Sequence, residues 1–190
     1  MKNILFVNAC VRPQSRTAIL AKHVLERLDG DVQELNLERE DIKPLNLERL
    51  QRRDSLGRAK NFSDDIFRYA RQFAEAETVV IAAPYWDLSF PAMVKTYFEA
   101  VTVQGLTFYY TEEGIPKGLT NVKKIIYVTT AGGPIGELNL GFDYVKALCQ
   151  GLYGIEDVVC HKAELLDIVG ADVEGILKKT IDEIDKIYGV

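Results

Sequence analysis

The run Thr78-Val79-Val80-Ile81-Ala82-Ala83 constrains this chain more than any other segment. A short, continuously apolar run is what a strand buried on both faces of a sheet requires, and such burial is the habit of parallel sheets covered by helices. The run empties into Pro84-Tyr85-Trp86-Asp87-Leu88-Ser89-Phe90, and Pro91 then opens a helix over Ala92 to Val101, where its missing N–H costs nothing. Two large aromatics at a loop tip are costly to leave in water unless they cover something flat.

The same alternation recurs along the chain. Ile4 to Val7 reads as a strand, Ser15 to Leu28 as a helix with its apolar stripe at Ala18, Ile19, Ala21, Val24, Leu25 and Leu28, and Val32 to Leu37 as a second strand. Glu38 to Arg58 is polar and reads as a surface excursion with a short helix near Leu47 to Arg53. Phe62 to Glu75 returns to helical spacing. Lys124 to Thr130 is a further strand, followed by a helix from Leu138 to Leu152, a strand from Ile155 to His161 and an amphipathic helix from Ala171 to Tyr188. Strand, helix and strand in repetition predict a doubly wound five-stranded parallel sheet in three α/β/α layers, and 190 residues suit one domain, 1–190. Between Gly105 and Leu119 the aromatic segment Leu106 to Tyr110 precedes turn chemistry, which predicts an inserted hairpin or flap over a site.

Composition excludes several classes. A net charge of -5 argues against a general nucleic-acid or anionic-membrane surface, so any phosphate recognition is local. Cys10, Cys149 and Cys160 lack metal or disulfide spacing, and His23 and His161 lie far apart, so no metal site is expected. Both histidines read as structural or solvated, and Cys10 as a small packed thiol. No apolar run approaches the roughly 20 residues of a membrane span, and the expected setting is cytoplasmic.

Ligands of an open α/β sheet bind outside the carboxyl ends of its strands. The first such loop, Asn8 to Thr17, has no glycine and so carries neither dinucleotide nor triphosphate fingerprint. It offers the Ser15 and Thr17 hydroxyls, the two arginines Arg12 and Arg16, and a helix N-terminus: either Ser15 caps the helix and both arginines meet solvent, or the group cradles one terminal phosphate. In the second, Tyr85 and Trp86 either pack into a core or interface or flank a planar ligand. The third, Thr129-Thr130-Ala131-Gly132-Gly133, presents consecutive N–H donors, or is a plain turn.

Together, Ser15-Arg16-Thr17, Pro84 to Pro91 and Thr130 to Gly133, with Phe108-Tyr109-Tyr110-Thr111, Gly114 and Gly118-Leu119, resemble the FMN-dependent NADH azoreductase and NAD(P)H quinone reductase family over nearly the whole chain. That resemblance implies a flavodoxin-like fold, a homodimer, FMN as cofactor, NADH or NADPH as donor, and two-electron reduction of a quinone or azo substrate. By position it implies that Ser15, Arg16 and Thr17 hold the FMN phosphate, that Pro84, Tyr85, Trp86, Asp87 and Leu88 line the ring, and that Thr130, Gly132 and Gly133 meet its pyrimidine side. Tyr85, Trp86, Phe108, Tyr109 and Tyr110 become substrate-slot walls, the last three supplied by a partner subunit or serving dimer packing. No side chain is then needed as acid, base or nucleophile, because the flavin carries the hydride and the Gly132 and Gly133 N–H groups steady the charge that develops. The chain departs from the family pattern at Ala9, where many azoreductases have serine, at Asp87 (asparagine), Leu88 (phenylalanine) and Ala131 (arginine). A flavodoxin-type electron carrier without nicotinamide turnover is the alternative, and a receiver-like domain ranks low because Asn8 and Pro84 stand where it needs carboxylates.

Overall fold

The computed structural model describes residues 2–189. Five parallel strands, β1 (Asn3–Asn8), β2 (Asp31–Asn36), β3 (Thr78–Ala82), β6 (Lys124–Thr130) and β7 (Asp157–Ala163), form one sheet in the order β2-β1-β3-β6-β7. This is the doubly wound arrangement expected. Two further strands, β4 (Phe108–Tyr110) and β5 (Pro116–Gly118), pair antiparallel as a separate hairpin.

The period of two along the central strands sorts side chains into two cores. Leu5, Val7, Val79, Ile81, Ile125 and Tyr127 point to one face, where α3 (Arg68–Glu75), α4 (Ala92–Val101) and α5 (Leu140–Tyr153) cover them with Phe73, Tyr97, Phe98, Val145 and Tyr153. Ile4, Phe6, Val80, Ala82, Ile126 and Val128 point to the other, under Leu20, Ala21 and Val24 of α1 (Arg16–Leu25) and Ile184 of α6 (Val173–Tyr188). Tyr97, Tyr127, Phe6, Phe73 and Phe98 are buried completely, and each such side chain stabilises the fold by about 2–3 kcal/mol. Because β1 feeds α1 on one face while β3 feeds α4 on the other, the chain opens a crevice between their carboxyl ends.

Where boundaries moved, local hydrogen bonding is the reason. α1 begins after Ser15, whose Oγ accepts from the Ala18 N–H at 3.3 Å, and ends at Leu25 because Arg27 and Leu28 turn back onto Val24 and Leu25 carbonyls. The excursion carries a longer helix than expected, α2 (Leu47–Arg58), capped by Asn46 and not broken at Gly57; Lys60, at φ 52, makes the stop. No residue of α2 is fully buried. The 62–75 segment splits into a 3-10 turn (Asp65–Phe67) and α3, since Asp64 Oδ1 accepts from Ile66 N–H at 3.0 Å and restarts the chain. Asn139 and Asp172 cap α5 and α6, which therefore begin two residues inside the expected starts. β7 runs on to Ala163 because β6 extends to Thr130 and pairs with it.

Both histidines are structural: His23 Nε2 lies 2.8 Å from Asp185 Oδ1 between α1 and α6, and His161 Nε2 lies 3.0 Å from the Tyr188 hydroxyl. Burial holds His161 below the ordinary imidazole value and pushes the Cys149 and Cys160 thiols up to about 12. Cys10 is likewise buried, with its thiol raised by burial.

The β4–β5 hairpin docks on the end of α5 so closely that a Cβ on Gly118 would lie 1.9 Å from the Tyr153 carbonyl oxygen. Gly118→Ala should therefore destabilise the fold by about 1–3 kcal/mol, lowering the melting temperature by several degrees in a thermal scan. An unchanged melting temperature would show that the hairpin docks loosely.

Candidate functional site

The parallel register sets Asn8, Ala82 and Val128 level on β1, β3 and β6, so the loops that follow emerge side by side. Two contacts then lock them together. The Tyr85 N–H donates to the Thr130 carbonyl at 3.1 Å, and Thr17 Oγ1 lies 2.7 Å from Thr130 Oγ1. Thr130 thus joins the end of β6 to the start of α1 and to the loop after β3.

Around this junction lies a cavity of about 750 Å³. Its wall includes Ser15, Arg16 and Thr17 from the first loop, Pro84, Tyr85 and Trp86 from the second, and Thr130, Ala131 and Gly132 from the third. On its wall the first-turn N–H groups of α1 have no carbonyl within the helix to bond, so they present partial positive charge to an anion. Tyr85 and Trp86 add an aromatic stretch of wall: the Tyr85 hydroxyl donates to the Leu138 carbonyl at 2.9 Å, which fixes that ring, while Trp86 is 40% exposed. A cavity of this size, with aromatic rings and a helix N-terminus both on its wall, suits a planar ring system bearing an anionic tail.

The remaining expected residues lie outside this wall. Asp87 and Leu88 form the tip of a two-residue turn, with Trp86 N–H to Ser89 O at 3.0 Å and Ser89 N–H to Trp86 O at 2.8 Å. Both stand in the left-handed region, at φ 50 and φ 66. Aspartate tolerates that conformation; leucine does so at a cost of about 1 kcal/mol or more. The Leu140 N–H bonds the Leu88 carbonyl at 3.2 Å and helps hold the strained turn. Gly133 also falls just beyond the wall, its carbonyl accepting from the Leu165 N–H at 3.1 Å.

Gly132 needs its missing side chain for an unforeseen reason. A Cβ there would lie 2.3 Å from Asp167 Oδ2, so the space belongs to a carboxylate of this chain. Asp167 and Leu166, on the loop after β7, are cavity-wall residues that the motif reading passed over, as are Val11, Pro13 and Gln14, while Arg12 joins Arg16 on the wall. The signal was available: β7 is parallel to the others, so its following loop emerges at the same edge. Arg16 Nη1 reaches Asp167 Oδ1 at 2.7 Å and the Leu166 carbonyl at 3.2 Å.

Phe108, Tyr109 and Tyr110 are elsewhere. Within the protomer the hairpin does not cover the cavity; these three residues line a second groove of about 850 Å³ with Arg53, Arg58, Phe62 and Gln104, and none of the residues on one wall is on the other. Phe108 is buried edge-on against Tyr110, whereas Tyr109 and Tyr110 are exposed. Among the described residues, no three His, Cys, Asp or Glu side chains gather as a metal site, and no helix is long and apolar enough to cross a membrane.

A doubly wound parallel sheet with a helix N-terminus and an aromatic wall at the β1/β3 crevice defines a flavodoxin-like α/β protein. Residues 2–187 match the family described as having the flavodoxin-like fold, and the chain belongs to it. It is 37% identical over 188 residues to the FMN-dependent NADH:quinone oxidoreductase of Lachnoclostridium phytofermentans, covering 94% of each chain. It is also 37% identical over 196 residues to FMN-dependent NADH:quinone oxidoreductase 2 of Clostridium acetobutylicum, covering 96% of each. Among solved structures, an azoreductase from Bacillus anthracis superposes with a TM-score of 0.84 at 28% identity over 99% of both chains.

The strained turn is directly testable. Leu88→Gly removes the left-handed penalty, offset in part by the greater freedom of glycine when unfolded, and should leave stability equal or raise it by about 1 kcal/mol. A fall in melting temperature would mean that the Leu88 side chain makes contacts worth more than the strain.

Proposed function

We propose that this protein is an FMN-dependent NAD(P)H oxidoreductase that reduces quinones or azo compounds in two-electron steps. The observation that carries the reading is the single cavity joining the α1 N-terminus to the Tyr85–Trp86 wall. Similarity over nearly the full chain to proteins named FMN-dependent NADH:quinone oxidoreductase supports it. Nothing in those names favours the electron-carrier alternative.

The residues present fit FMN. Ser15, Thr17 and the free N–H groups of the first turn of α1 would hold the phosphate. Pro84, Tyr85 and Trp86 would flank the ring, with Asp87 and Leu88 at the tip of the same turn. Thr130 and Gly132 would face its polar edge, with Gly133 next along the same turn. When bound, FMN supplies the redox chemistry, accepting hydride from NADH or NADPH and returning it to the acceptor in a ping-pong cycle.

The chain's own contribution is binding and orientation. Its wall offers no histidine, cysteine or lysine to act as acid, base or nucleophile. Tyr85 is committed to the Leu138 carbonyl and acts as a wall. Backbone N–H groups at the Gly132–Gly133 turn would steady negative charge without reorganising, because the peptide planes are held by Leu165, Leu166 and Asp167 N–H bonds to the Gly133, Ala131 and Gly132 carbonyls at 2.9–3.1 Å.

The working unit in this reading is a homodimer. Trp86, Leu88, Leu138, Leu140, Leu165, Ile168 and Val169 are exposed apolar residues on the segments that follow β3, β6 and β7 at the carboxyl edge of the sheet; Leu88 and Leu140 are bonded through their backbones, and Val169 is wholly exposed. An apolar edge of that kind is unfavourable in water and suits contact with a second copy. The separate groove bearing Tyr109 and Tyr110 would then supply walls to the partner's cavity.

Purified protein with added FMN should oxidise NADH or NADPH rapidly when menadione or an azo dye is present. Absence of turnover with every acceptor would overturn the enzyme reading. In solution the protein should sediment as a dimer, and Val169→Asp should shift it toward monomer. A monomeric wild-type protein would remove the partner-supplied wall from the proposal.

A further inference from the structure

We infer that Asp167 is a specificity-determining residue: it competes with a bound phosphate ester for Arg16, and so sets how strongly the cavity prefers a phosphorylated ring ligand over the same ring without phosphate. The inference rests on the FMN reading above.

Arg16 opens α1, beside the N–H groups that would receive the phosphate, yet its guanidinium is engaged by Asp167 Oδ1 at 2.7 Å and the Leu166 carbonyl at 3.2 Å. The acid is the fixed member of the pair. Its N–H donates to the Gly132 carbonyl at 2.9 Å, the preceding Leu166 N–H donates to the Ala131 carbonyl at 3.1 Å, and its carboxylate fills the space left by the absent Gly132 Cβ. Arg16, on a long flexible stem, is the partner able to move.

The pair is also weak enough to exchange. Its side chains are 38% and 66% exposed, and solvated pairs of that kind contribute little. A phosphate dianion offers a guanidinium a stronger, bidentate partner. Of the cavity-wall residues, Arg12 and Arg16 are the cations and Asp167 is the acid. The carboxylate therefore works against the phosphate twice, by occupying Arg16 and by repelling the incoming charge. A ring lacking the phosphate meets neither effect.

The experiment is titration of wild type, Asp167→Asn and Arg16→Gln with FMN and with riboflavin, read by quenching of flavin fluorescence. Asp167→Asn should bind FMN about fivefold to tenfold more tightly and riboflavin unchanged, with the gain shrinking at high salt as a charge effect must. Arg16→Gln should weaken FMN alone, and the Asp167→Asn gain should shrink in its background. Asp167→Ser serves as the second variant should the asparagine not fold. An FMN-to-riboflavin affinity ratio that is unchanged or lower in the Asp167 variants overturns the inference while leaving the cofactor reading intact. Wild-type protein that binds neither flavin overturns both.

Discussion

Everything at the candidate site depends on the parallel, in-register pairing of β1, β3 and β6. Backbone hydrogen bonds set Asn8, Ala82 and Val128 at one level, and burial of Val7, Ile81 and Tyr127 on one face and Phe6, Val80 and Ile126 on the other prevents slippage. A shift of one residue would exchange the two faces of a strand and place apolar side chains against the wrong helices. Because the register fixes where the strands end, three loops far apart in sequence emerge side by side and meet around Thr130. The site inherits its geometry from the core.

The site itself relaxes the rules that the core obeys. Asp87 and Leu88 occupy left-handed conformations in a two-residue turn, and Leu165 does the same at φ 67 on the loop after β7. Non-glycine residues accept such strain only where neighbouring bonds hold them, as the Leu140 N–H does for Leu88 and the Gly133 carbonyl does for Leu165. Exposed apolar side chains gather on the same edge. Strained turns and exposed apolar side chains thus share the sheet edge that carries the cavity, in contrast to the helix-covered faces.

Much of this was legible before folding. Apolar runs, the alternation of the edge strand β2 and helical stripes identify the five sheet strands and the helices between them, because burial on two faces leaves a continuous apolar run while burial on one face leaves a period. Ser15, Thr17, Tyr85, Trp86, Thr130 and Gly132 fall on one cavity as their motifs imply. The hairpin from Phe108 was legible as a hairpin. Its distance from the cavity was not, since nothing in an aromatic segment states which surface it will face. Asp167 was missed because it carries no motif and acts through a contact 151 residues away in sequence, with Arg16.

The sequence by itself determined the layered α/β fold, the strand order's consequence for where loops gather, and the chemical kinds of group at that edge: hydroxyls and a helix start, an aromatic pair, and adjacent glycines. These are local properties, set by periodicity, propensity and turn chemistry. Only the tertiary structure decided that Thr130 is the junction, that Gly132 is glycine to admit Asp167, that Arg16 is shared between a carboxylate and the cavity, and that Tyr109 and Tyr110 face a separate groove. Each is a contact between segments distant in the chain, and such contacts exist only once the sheet has fixed which loops are neighbours.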